Sequence, residues 1–118
     1  MVPILLALAV AAPPRATITT VAKPTPLAVS SWCWKTHCGA PISASRKTVV
    51  ARRGSLVRVD FAYAPTQVRV AIAGKPVTVS VRGHEATWTA RAGGGMSIDA
   101  IGSGGWVIYV ARLRLTGP

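Results

Sequence analysis

The chain has 118 residues, half of them hydrophobic, with fourteen Lys+Arg against three Asp+Glu and a formal net charge of +11. That length fits one domain with one sandwich-type core and is too little for a core plus an elaborate active site; about 100 residues bury roughly 60–65 % of their unfolded surface. The cations are scattered rather than run together, which excludes a basic tail and leaves either an attraction to polyanions or a compositional drift toward arginine.

In chain order, Val2–Ala12 is an unbroken apolar run. It has the length of a signal-peptide core, is too short to span a bilayer, and has no basic residue ahead of it. We expect residues 1–12 to be an export segment, with no transmembrane span in the mature chain. Residues 13–26 hold four prolines and four threonines. Proline removes backbone donors, so an extended spacer is expected there rather than a packed central strand.

Residues 27–118 alternate with a period of two. Leu27–Trp34, Lys47–Val50, Leu56–Tyr63, Gln67–Ala73, Val77–Arg82, Ala86–Arg91, Met96–Ile101 and Trp106–Leu115 read as strands. Arg52-Arg53-Gly54-Ser55, Ala64-Pro65-Thr66, Gly74-Lys75-Pro76, Gly83-His84-Glu85, Gly93-Gly94-Gly95 and Gly102-Ser103-Gly104-Gly105 read as turns. No window carries a helical repeat. Seven to eight short strands at this spacing predict an all-β, antiparallel β-sandwich.

The stretch Trp32-Cys33-Trp34-Lys35-Thr36-His37-Cys38 concentrates both cysteines. After an export-like start, a pair this close predicts one disulfide in an oxidising compartment. Closing six residues stabilises by about 2 kcal/mol in the loop-entropy picture. Lys35 and His37 are then exposed candidates for binding. An alternative uses Cys33, His37 and Cys38 as thiolate and imidazole ligands for zinc or copper, with His84 or Glu85 as a fourth. The Cys-x4-Cys spacing with no following helix argues against a redox dithiol.

The run Val49–Val110 contains Arg-Arg-Gly-Ser-Leu-Val-Arg-Val, a strand centred on Trp88, a glycine turn and the final Gly-Trp-Val-Ile-Tyr-Val-Ala-Arg. It resembles small secreted bacterial immunoglobulin-like β-sandwich domains, and the Cys-Trp-x-x-x-Cys opening is similar to that of exported bacterial proteins with this layout. The resemblance implies an immunoglobulin-like fold and an extracytoplasmic location, and it implies no reaction. The two cysteines stand too close to join sheet to sheet as in antibody domains.

No nucleophile motif, phosphate loop or metalloprotease helix is present, and Asp60, Glu85 and Asp99 are the three carboxylates. No enzyme activity and no cofactor are expected. Arg58, Arg69, Arg82, Arg112 and Arg114 fall on the outward phase of their strands. If those strands share a sheet they form one basic face for an anionic envelope polymer or lipid surface. Specific nucleic-acid binding is not expected, because no aromatic residues interleave on that phase. Trp106 opens an outward apolar stripe that is a candidate edge for a protein partner.

Overall fold

The computed structural model describes residues 12–21, 24–40 and 46–118. The expected export segment, but for Ala12, lies outside the described residues. The strands are β1 (Ala16–Thr19), β2 (Thr25–Pro26), β3 (Ala28–Trp34), β4 (His37–Gly39), β5 (Thr48–Arg52), β6 (Leu56–Phe61), β7 (Gln67–Ile72), β8 (Lys75–Val77), β9 (Ser80–Arg82), β10 (Glu85–Thr89), β11 (Gly94–Gly102) and β12 (Gly105–Thr116). There is no helix among the described residues.

Strict alternation sorts these strands into two sheets packed on one apolar layer. The smaller sheet has the order β2-β1-β6-β10-β9. The larger runs β4-β3-β12-β11-β7-β8, with β5 also paired to β12. In β6, Val57, Val59 and Phe61 point inward while Leu56 and Arg58 point out. Across the layer, Met96 and Ile98 of β11 and Val107, Tyr109, Ala111 and Leu113 of β12 join the same core. The expected all-β sandwich is therefore present, with three departures.

First, residues 13–26 are not simply a spacer. The prolines flank Ala16–Thr19 rather than interrupt it, so β1 pairs along its whole length with β6. Ile18 is fully buried, a burial that contributes roughly 1.5–3 kcal/mol. Leu27 N donates to Ala16 O at 3.0 Å, Ala62 N to Arg15 O at 3.0 Å, and the Tyr109 hydroxyl to Pro14 O at 2.8 Å. Second, Val77–Arg82 is two strands. β8 ends the larger sheet, the chain crosses at Thr78–Val79, and β9 ends the smaller one. The preceding turn is Ala73–Gly74, with φ of 53° and 80°, as a two-residue hairpin of the mirror-image type requires. Pro76 then sits in an edge strand, where its missing donor is harmless. Third, the larger sheet is not wholly antiparallel. β12 pairs with β3 as far as Val110 and with β5, in parallel, from Arg112. Arg112 N donates to Lys47 O at 2.8 Å where the partner changes.

Candidate functional site

The outer face of the larger sheet runs from a cysteine end to an arginine end. At the cysteine end, β3 and β4 form a hairpin around Lys35–Thr36, with Cys33 directly opposite Cys38. The two are joined by a disulfide with a Cα–Cα distance of 4.0 Å. Both thiolates of the alternative metal set are thereby consumed, and no cluster of three or more His, Cys, Asp or Glu side chains stands together among the described residues. Lys35 and His37 are exposed as expected. Lys35 has a φ of 59°, a left-handed value that costs a non-glycine residue about 1–2 kcal/mol.

Why the chain tolerates that turn is visible beneath it. The tip of the β11–β12 hairpin, Ser103–Gly104, lies against it, and Lys35 N donates to Gly104 O. The Trp34 indole covers Gly104, where a Cβ atom would stand 2.6 Å from the ring. At Gly105, with φ +145°, a Cβ atom would fall on the Cys33 carbonyl oxygen, leaving no space for any side chain. Trp34 also packs on Tyr63 with the rings tilted and their centroids 4.7 Å apart, and Phe61 lies 5.5 Å from Tyr63 and 5.9 Å from Tyr109. The Tyr63 and Tyr109 hydroxyls are 3.2 Å apart. Burial raises the pKa of both phenols above 10.0, and for Tyr109 the hydrogen bond with Tyr63 raises it further.

On the solvent side of this end stands Trp106. It is 38 % exposed, opposite Ile101 at 42 %, with Ile108 and the disulfide on the same face. Toward the middle, Asp99 lies opposite Arg69. With its amide oxygen turned to the guanidinium, Gln67 accepts from Arg69 Nε and Nη2 at 2.9 and 3.0 Å.

The five outward arginines do not form one face. Arg58 and Arg82 belong to the smaller sheet; Arg69, Arg112 and Arg114 belong to the larger. The two groups point in opposite directions from the sandwich. The physical reason is that alternation assigns a side chain to inside or outside and carries no information about which sheet its strand joins. Their surroundings differ as well. Arg58 Nε lies 3.1 Å from Asp60 and 3.8 Å from Glu85, and Arg82 lies opposite Glu85. Two arginines against two carboxylates leave that face near neutral.

At the arginine end no acid intervenes. Arg112 and Arg114 are exposed on β12, and Arg52 is exposed on the neighbouring β5. The Arg46 guanidinium comes within 3.1 Å of where a Cβ on Gly95 would sit, and Gly95 pairs with Arg112. No ion pair reaches any of these four among the described residues. Arg46 and Arg52 are absent from the sequence-based set of site residues. Arg46 has no alternating pattern around it, and Arg52 sits in a dipeptide that reads as a turn. The signal that could have found Arg52 is its place after Thr48–Ala51, which continues the outward phase of that strand.

No family model, curated protein or solved structure matches the chain. No helix among the described residues is long and apolar enough to cross a membrane.

Proposed function

We propose that the chain is a non-catalytic, exported binding module of the cell envelope, contacting an anionic polymer or lipid surface through the arginine end of its larger sheet. The observation that carries this reading is the grouping of Arg46, Arg52, Arg112 and Arg114 on one face with no carboxylate beside them. An unpaired guanidinium keeps its full attraction for phosphate and carboxylate oxygens, whereas a paired one does not. The disulfide supports the extracytoplasmic placement, because such bonds persist in oxidising compartments.

The test uses phosphatidylglycerol vesicles and co-sedimentation at low and high salt. Each basic side chain near an anionic membrane contributes about 1 kcal/mol, screened within a Debye length. Arg112→Glu with Arg114→Glu should weaken binding about 30-fold or more at low salt, while Arg58→Glu with Arg82→Glu changes it less than about threefold. Binding that ignores salt, or that responds equally to both pairs, would sink the reading. A protein partner at the cysteine end is the second reading, favoured by exposed Trp106 and Ile101. Under the first reading Trp106→Ala leaves vesicle binding unchanged.

A further inference from the structure

A cleft opens along one side of the sandwich, and the strand crossing creates it. β8 runs beside β7 as far as Val77, opposite Val70, before the chain leaves the larger sheet through Thr78–Val79. On the smaller sheet, β9 covers β10 only from Glu85 to Thr87. Trp88 and Thr89 therefore pair with β6 on one side and have no strand on the other. The space left over is about 440 Å³, inside the ~300–1,000 Å³ range of small-molecule sites.

Its chemistry is sharply divided. Ile72, Val77 and Trp88 form apolar walls. Lys75 and Arg91 line the same cleft and are exposed, so their charges stand at its mouth. Neither has a carboxylate partner among the described residues. Trp88 is 4 % exposed, and its Nε1–H is buried without a hydrogen-bond acceptor among the described residues.

We propose that this cleft binds a small amphipathic anion, a carboxylate with an apolar body. The body lies against Ile72, Val77 and Trp88, and the head sits between Lys75 and Arg91. A neutral apolar ligand leaves both cations unused. A small anion makes no use of the walls. A cation is repelled, since Asp60, Glu85 and Asp99 all lie outside the cleft lining. The site does not depend on the surface contact proposed above, which uses other arginines.

The experiment titrates the ¹⁵N-labelled full chain with decanoate, below its micelle concentration, and in parallel with acetate and with decanol. We expect saturable shifts of the Trp88 indole N–H and of the Ile72 and Val77 amides with decanoate, and binding at least tenfold weaker for acetate and for decanol. Lys75→Glu with Arg91→Glu should weaken decanoate at least tenfold. Ala92→Trp, which fills the cleft from an exposed lining position, should abolish the Trp88 shift while leaving the remaining spectrum folded. Equal binding of acetate or of decanol, indifference to the charge reversal, shifts centred on Trp106, or no shifts at all would each overturn the proposal. The vesicle experiment with Arg112 and Arg114 can fail without affecting this outcome, and the reverse also holds.

Discussion

The two ends of the larger sheet are built on opposite plans. At the cysteine end the glycines are covered by neighbours: the Trp34 ring lies on Gly104, and the Cys33 carbonyl on Gly105. At the arginine end, the turn glycines Gly54 and Gly74 have nothing within 4 Å where a side chain would start, and Gly95 meets only the far end of the Arg46 side chain. One end spends its residues on holding two hairpin tips together, and the other leaves long cationic side chains in water without partners. The contrast teaches that a conspicuous cluster of tryptophan, cysteine and histidine can be structural, while unremarkable arginines from two stretches far apart in sequence make the surface worth testing.

The sharpest way to break the comparison is at Gly105. Gly105→Ala puts a methyl group into the Cys33 carbonyl at a φ that side chains rarely adopt, and should cost about 3 kcal/mol or more in urea unfolding. A matching change at the other end, Gly54→Ala, meets only the strain of its φ of +86° and should cost about 1–2 kcal/mol. Removing the staple comes next. Cys33→Ser with Cys38→Ser should lower stability by about 2 kcal/mol, and, because the bridge lies at the far end of the face, should leave vesicle binding unaltered. A destabilisation accompanied by lost binding would mean the two ends are coupled.

Smaller still is the tyrosine pair beneath the cysteine end. Both phenols have folded pKa values raised above the ordinary 10.0. Their contribution is fully present below about pH 10 and is lost as pH rises beyond it, because the unfolded chain releases those protons first. Melting temperature followed from pH 8 to 12 should fall above about pH 10. Tyr109→Phe should soften that fall, at a cost near 1–2 kcal/mol at neutral pH from the lost bond to Pro14 O. The smallest effect belongs to the smaller sheet. Arg58 and Asp60 are 46 % and 41 % exposed, so Arg58→Ala should change stability by less than about 1 kcal/mol. A larger loss would show that the neutral face is held by its ion pairs after all.

Much of the sandwich was legible in the sequence for a plain reason. Leu56–Phe61 and Met96–Ala100 alternate without interruption, so inside and outside follow residue by residue. The turn at Gly102–Gly105 was equally readable, since glycines and a serine stand between two such runs. Ala16–Thr19 escaped because proline composition dominates the window around it, although the four residues themselves alternate. The crossing at Thr78–Val79 escaped because Val77, Val79 and Val81 keep a period of two straight through it, and period is blind to a change of sheet. The same blindness merged Arg58 and Arg82 with Arg69, Arg112 and Arg114 into a single face. The candidate site thus needed pairing information, which resides in contacts between strands far apart in sequence.

The direction of β12 has a mechanical meaning. Ala16 of β1 lies opposite Phe61 at the cysteine end, while Thr116 of β12 lies opposite Arg52 at the other. Tension applied between these two points acts along the strands. The ladder bonds of β1 on β6, and of β12 on β3 and β5, are then loaded in shear, all at once, instead of being peeled open one by one. A module fixed to a surface near Thr116 and pulled from before Ala16 would yield abruptly at high force, with little stretch beforehand.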